Sequence, residues 1–408
     1  MQISCEEFNE MEKKVSKRHG KESKYFQPQE FYYITHIKNL PNIISQGIFC
    51  HNEAEKKGLL SNEISSPEVM ERRKNQSING LPLWNYANLY IRATNAMLYR
   101  IILKYNVENL VILCIKKSVL NIPNSYVTNK NAACSFKDIY PTKKFEEVFK
   151  KIGKSISWQY WTEEYMQEVM AEILIPNRIP PEYIQKILVP SVESHKKILK
   201  FGIDHKKFPI IVEESQFFLP TRKIPLTRKM WVVRGDMFYS EMKTLTISVN
   251  TVGVMGAGLA SRVKLQFFDV FEEYLQALKK EKLKMGEPYL YKRPDNIGNI
   301  LVVTEKGDEE FVPSHWYLLF PTKNHWVHNS DIKGIEKGLI YLKENYKTLG
   351  INSLALPALG CGLGKLSWDE IGPMIVKHLK DTEMEVEIYL PDKEIPEKQL
   401  TKEFLLGN

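Results

Sequence analysis

The chain predicts two mixed domains in tandem, an α+β domain followed by a three-layer α/β domain. Three observations carry this reading. A chain of 408 residues exceeds what one hydrophobic core usually serves. The segment LPTRKIPLTRK, basic, with two prolines and no apolar period, separates two regions of different pattern. The order of elements also changes there, from short strands scattered among helices to strands alternating with long helices. The division is residues 1–218, a linker at 219–228, and residues 229–408.

In the first region, residues 1–28 read as a polar lead-in with one short helix. From FYYITHI onward the strands are NLVILCI, AEILIPN, KILVPS and FPIIVEE, all β-branched and bounded by Pro, Asn or Lys. In AEILIPN, Glu172 points away from Ala171 and Ile173, and by itself reads as a solvent-facing strand residue. The glycines of this region are scattered, so no phosphate loop is present.

The second region opens with the strands MWVVRGD and TLTISVN, then TVGVMGAGLASR, a glycine loop that starts a helix. The strands ILVVTEK and WYLLFPT follow, then a helix at 331–347, the strand SLALPAL, a helix at 367–380 and the strand EVEIYLP. The glycine spacing G-x-x-G-x-G is not the dinucleotide fingerprint, and no GK[ST] follows it. A second cluster, ALGCGLGKLSW, comes after SLALP. Either loop alone reads as a tight strand-to-helix connection. Two of them at the carboxyl ends of neighbouring strands, with GDMF ending the first strand, suit a diphosphate. Ser367-Trp-Asp-Glu370 reads as a helix capping box.

Charge divides with the regions: residues 1–228 carry a net +10 and residues 229–408 a net −2. A basic first half favours an anionic partner such as nucleic acid, although excess lysine also serves solubility. The longest apolar runs are strand-length, and the charged N-terminus has no hydrophobic leader, so neither a membrane nor export is expected. Five cysteines, odd in number and without paired ligand spacing, suit a reducing cytoplasm with no disulfide framework and no metal site.

RGDMF, ISVNTVGVMGAGLASRVK, LFPTKNHW and LPALGCGLGKLSW, in this order, resemble the macrodomain branch that contains the DarG antitoxin and terminal ADP-ribose glycohydrolase. The resemblance covers residues 229–392 and implies an ADP-ribose cleft. It places Asp236 and Met237 at the adenine and Asn250 at the distal ribose. Gly256, Ala257, Gly258, Gly360, Cys361, Gly362 and Leu363 would surround the diphosphate and that ribose. A lysine on a loop is ordinarily just solvated. In PTKNHW, however, the resemblance sets Lys323 beside the anomeric carbon C1″, to orient it, attack it or donate to the departing base. The mammalian relative has an aspartate in its second glycine loop, where this chain reads Gly364-Lys365, so Lys323 carries more of the chemistry.

In the first half, FYYITHIKNL, ERRKNQ, NAMLYR and EVMAEILIPNRIPPEYI resemble the DarT family of DNA ADP-ribosyltransferase toxins over residues 29–218. The resemblance implies an ADP-ribosyltransferase-like domain with NAD as substrate. Glu172 would stabilise the oxocarbenium-like ribose left as nicotinamide departs. Tyr33, Thr35 and His36 would hold the nicotinamide riboside, and Met97 would wall the pocket. Arg72 or Arg73 would steer the diphosphate or the acceptor base, with Arg72 preferred. Relatives read His-x-Thr-His where this chain has Tyr33-Ile-Thr35-His36. An acceptor base whose ring nitrogen must reach C1″ cannot be paired, which implies single-stranded DNA, with thymine favoured by overall resemblance. Trp158, Tyr160, Trp161 and Tyr165 read either as core or as a platform for unpaired bases.

A domain that attaches ADP-ribose to a base and one that removes it form a closed pair, implying a toxin–antitoxin fusion with its two domains in contact. Two alternatives stay open: a DNA-binding module joined to an ADP-ribose reader without transfer, and ADP-ribosylation of protein instead of DNA.

Overall fold

β-Branched and aromatic runs form two separate sheets in the computed structural model, which describes residues 28–59, 64, 67–133, 139–152, 168–294, 315–391 and 393–407. The first sheet has eight strands: β1 (Glu30–His36), β2 (Tyr86–Tyr90), β3 (Leu110–Lys116), β4 (Tyr126–Thr128), β5 (Ile139–Pro141), β6 (Glu172–Pro176), β7 (Ile184–Val189) and β8 (Ile210–Val212). Their spatial order is β8-β7-β3-β1-β2-β6-β4-β5, antiparallel except between β7 and β8. The central strand β3, LVILCIK, is buried on both faces, which is why it reads as a continuous apolar run rather than an alternation. One core gathers Val111, Leu113, Ile115, Ile173 and Ile175, and a second gathers Ile112, Cys114, Tyr90 and Leu98.

The second sheet has seven strands: β9 (Arg222–Pro225), β10 (Met230–Arg234), β11 (Thr244–Asn250), β12 (Tyr289–Tyr291), β13 (Trp316–Lys323), β14 (Ser353–Pro357) and β15 (Glu385–Tyr389). Their order is β9-β10-β15-β14-β11-β13-β12, parallel except for the two edge strands. Alternate residues of each strand enter opposite cores. Leu245, Ile247 and Leu319 meet α3 (Gly258–Gln266) and α4 (Phe268–Lys279) on one face. Leu318, Phe320, Leu354 and Leu356 meet α5 (Ile332–Leu349) and α6 (Trp368–Leu379) on the other. This is the three-layer arrangement expected of strands alternating with helices.

Three expectations need correction or placement. The segment expected as a linker is built into the second sheet, because Arg222–Pro225 pairs with Met230–Arg234 as its edge strand. Proline is tolerated there, since an edge strand has one row of backbone groups facing away from the ladder. The capping box does not form: Ser367 is the N-cap of α6 without a side-chain cap bond, and its hydroxyl turns to the Asp369 carboxylate. The strand ILVVTEK, the N-terminal lead-in and the aromatic cluster at Trp158, Tyr160, Trp161 and Tyr165 lie outside the described residues.

One helix of the first domain reaches the second. α2 (Ala96–Lys104) opens at Asn95, whose side chain caps it by accepting from the Leu98 amide at 3.0 Å. Tyr99 of this helix is buried among Val233, Met237 and Phe238 of the second domain. Its ring lies 5.4 Å from Phe218 and 5.3 Å from Tyr239, both tilted or edge-on as aromatic quadrupoles prefer.

Candidate functional site

Two constellations carry chemistry, one per sheet. In the first domain, Glu172 begins β6 and is registered against Tyr90 on β2, which is in turn registered against Tyr32 on β1. Directly opposed residues of antiparallel strands share a face, so these three side chains form a row across the sheet. Glu172 is not solvent-facing: it is 1% exposed. A carboxylate buried this deeply needs charged or hydrogen-bonding partners. Arg73, itself 5% exposed, donates from Nη1 to Oε2 at 3.0 Å, and the Ala132 amide donates to Oε1 at 3.3 Å. The backbone around the carboxylate is also fixed, since the Glu172 amide donates to the Thr128 hydroxyl at 2.8 Å.

The two neighbouring arginines have different surroundings. Both lie on α1 (Pro67–Asn75), where successive residues turn by about 100°. Arg73 is carried inward to Glu172, and Arg72 is half-buried. One Arg73 nitrogen, Nη2, is buried with no hydrogen-bond partner among the described residues. The end of α1 is tied to the loop that supplies Ala132, because Gln76 donates to the Ala133 carbonyl at 3.2 Å.

The remaining residues of this site have mixed placements. Met97 at the start of α2 receives a hydrogen bond from the Tyr90 hydroxyl at 2.8 Å, and so lies one residue from Glu172's row. Burial first, then the Glu172 charge, push the Tyr90 hydroxyl far above its ordinary pKa. Thr35 is buried and accepts from Asn39 at 3.0 Å. Tyr33 packs against the core around Phe31, and His36 accepts from the Lys38 amide at 3.3 Å. Burial, then Lys38, lower the His36 pKa. Tyr32, Tyr90, Thr128 and the Ala132 amide were not singled out in the sequence. Their only signal is register, which the sequence does not print.

In the second domain the site lies at the carboxyl ends of the parallel strands, where open α/β sheets bind ligands. β11 sits between β14 and β13, and Asn250 at its end is registered against Lys323 at the end of β13. Loops follow all three strands and bind one another. Thr251 donates from its hydroxyl to the Asn324 carbonyl at 2.9 Å, Lys323 Nζ donates to the Leu363 carbonyl at 3.4 Å, and the Ser330 amide donates to Gly364 at 3.0 Å. Leu363 would lie 3.8 Å from a Cβ on Gly258, so the two glycine loops face each other.

The glycines divide by reason. A Cβ on Gly364 would collide with Ser330 and the Gly360 carbonyl, so that glycine serves the packing of loop on loop. Among the described residues, a Cβ on Gly362 would meet nothing within 4 Å and one on Gly256 only Val254, leaving that side of the backbone accessible to a ligand. Ala257 is the N-cap of α3 and offers no side-chain cap. Helices leave their first amides unpaired, so these N–H groups stand available for an anion.

Asn250 is 5% exposed and acts as a strut: its Oδ1 accepts from Val252, Val254 and Tyr274, and its Nδ2 donates to Val254 at 2.6 Å. The Met237 and Cys361 side chains are core residues, so only their backbones face the loops. Asp236 is gripped by a residue the sequence reading missed. Arg262 Nη1 donates to both carboxylate oxygens, at 2.9 and 2.7 Å, with its guanidinium 4.0 Å from the Phe238 ring centroid. Gln266 accepts from its Nε at 3.0 Å. Lys323 is half-buried, and burial, then Lys365, lower its pKa below the ordinary lysine value. Among the described residues no group of three or more His, Cys, Asp or Glu is placed to hold a metal.

An antiparallel sheet with a buried Glu–Arg pair, joined to a glycine-looped three-layer sheet, defines the class: an ADP-ribosyltransferase-type domain fused to a macrodomain. Residues 32–218 match the family model of the ssDNA thymidine ADP-ribosyltransferase DarT, and residues 248–375 match the macro domain. A DNA ADP-ribosyl transferase–DNA ADP-ribosyl glycohydrolase fusion protein of Thermosipho africanus is 43% identical over 93% of this chain and 99% of its own length. The solved structure of Thermosipho africanus DarTG in complex with ADP-ribose superposes with a TM-score of 0.85 at 42% identity, over 93% of this chain and 100% of that one. A DNA ADP-ribosyl glycohydrolase of Thermus aquaticus is 33% identical over 39% of this chain and 40% of its own. The chain belongs to the family of DNA ADP-ribosyl transferase–DNA ADP-ribosyl glycohydrolase fusion proteins.

Proposed function

We propose that the first domain transfers ADP-ribose from NAD to thymine in single-stranded DNA and that the second domain hydrolyses the product, so that one cytoplasmic chain holds toxin and antitoxin. The observation that carries the proposal is the buried Arg73–Glu172 pair with Arg73 Nη2 still unpartnered among the described residues. A structural ion pair needs every buried donor satisfied, because an unpaired one costs about 1–3 kcal/mol. A spare guanidinium N–H beside a carboxylate instead suits a site that awaits an anionic, hydroxyl-bearing substrate such as NAD.

In this reading Glu172 accepts from the ribose 2″-OH and balances the positive charge that grows at C1″ as the bond to nicotinamide breaks. A ring nitrogen of the acceptor base then bonds to C1″. Arg73 holds the carboxylate and offers Nη2 to the diphosphate or the acceptor. His36 and Met97 line the nicotinamide riboside, whereas Tyr33 and Thr35, one residue out of register with Tyr32, lie on the other face of the sheet. NAD is a substrate here, and no metal takes part.

In the macrodomain the uncapped start of α3 and the open backbone at Gly256 and Gly362 receive the diphosphate. Asp236, held by Arg262, receives the adenine. Lys323 acts at C1″: its amine attacks as the bond to the base breaks, the base takes a proton from solvent, and water then hydrolyses the adduct to free ADP-ribose and the amine. The test is mass spectrometry of single-stranded oligonucleotides incubated with NAD and the full chain. A gain of one ADP-ribose on a thymine-containing strand in Lys323→Ala, reversed by unsubstituted protein, is the expected result. No mass gain with any sequence, or label on polypeptide instead, would overturn it.

A further inference from the structure

The second site is unusual in what surrounds it. Twelve large hydrophobic side chains are exposed among the described residues, and five of them stand on the three loops around Lys323: Val252, Val254, Trp326, Val327 and Leu363. Diphosphate and ribose do not call for apolar surface, so this rim serves some other part of the substrate. Trp326 is 48% exposed only three residues after Lys323. One side of its ring is backed by His325, stacked at 5.6 Å and 30°, and His328 lies 5.5 Å from His325 in turn. The Val327 amide donates to His325 Nδ1 at 3.4 Å, and the His328 amide donates to the His325 carbonyl at 3.1 Å, so the turn is fixed by its own bonds.

Covalent connectivity says what must lie here. The scissile bond joins C1″ to a base of a DNA strand, so with ADP-ribose in the cleft the base and its neighbours emerge beside Lys323. We propose that Trp326, with Val327 and Leu363 beside it, is the platform on which the modified base or the next unpaired base stacks. The macrodomain then reads nucleobase as well as ADP-ribose. This rests on the hydrolase reading of the site. Aromatic faces accept any base, and Lys365 stands on the second glycine loop to meet backbone phosphate.

The experiment uses the full-length chain without NAD and an ADP-ribosylated single-stranded oligonucleotide as substrate. Trp326→Ala is expected to raise KM about tenfold with kcat within about twofold, the size of effect one lost base stack gives. Its affinity for free ADP-ribose, measured by calorimetry, stays unchanged, and Trp326→Phe recovers most of the loss. An unchanged KM overturns the platform. So does a parallel loss of ADP-ribose binding, which would make Trp326 part of the cleft, and so does an equal rise in KM for an ADP-ribosylated peptide. Failure of the hydrolase reading looks different: Lys323→Ala would then release ADP-ribose from DNA at the rate of the unsubstituted chain.

Discussion

At Glu172 the carboxylate is 1% exposed with an arginine at 3.0 Å, whereas at Lys323 the amine is half-buried and the charge acting on it is that of another lysine. The first site pairs opposite charges inside a sheet, and the second gathers loops, glycines and like charges at the ends of strands. A buried pair fixes geometry before substrate arrives, and breaking one partner leaves the other stranded. Loops that backbone bonds also tie together, Thr251 to Asn324 and Ser330 to Gly364, lose little when one half-buried side chain is removed. Activity and stability should therefore be coupled in the transferase site and separable in the macrodomain.

The largest effect that would break this contrast comes from Glu172→Gln. Transfer to oligonucleotide should fall by about 10³-fold, as expected for loss of charge stabilisation in a buried site. Thermal denaturation should show a lower melting temperature for the same variant. Retained transfer would remove Glu172 from the chemistry. Next, the arginines separate: Arg73→Ala should lose about 10²-fold or more in transfer and destabilise the domain, while Arg72→Ala stays within a few-fold by both measures. The reverse ranking would mean that the Arg73–Glu172 pairing is not the working one.

In the macrodomain, Lys323→Ala should slow release from modified DNA by about 10²-fold while leaving melting temperature and ADP-ribose affinity nearly unchanged. A large stability loss would erase the distinction between the sites. The smallest change sharpens it. The attacking form of Lys323 is the neutral amine, populated above its pKa, so release should rise with pH and level off below the pH at which an ordinary lysine titrates. Lys365→Ala removes one of the two causes that lower that pKa. Its rate profile should shift to higher pH, with a modest loss near neutrality and little at high pH.

Much was legible before folding. The run NLVILCI gave a strand, and the glycine loop after TLTISVN gave a strand-to-helix turn. Each of these is local, because hydrophobic period and turn chemistry act over a few residues. The misreadings were all of another kind. LPTRKIPLTRK looks like a linker until β10 is there to pair with it, and Ser367 looks like a cap until its hydroxyl has a closer carboxylate.

What the amino-acid order alone determined, then, is the division into two mixed domains, their element order and the loops that carry glycine and lysine. The tertiary structure alone decided that Arg73 meets Glu172 from 99 residues away, that Arg262 grips Asp236, and that Tyr99 docks one domain on the other. The physical reason is range: propensity and periodicity are properties of neighbours in sequence, whereas a buried charge finds its partner through strand register and helix rotation. Those are fixed only when the whole core packs.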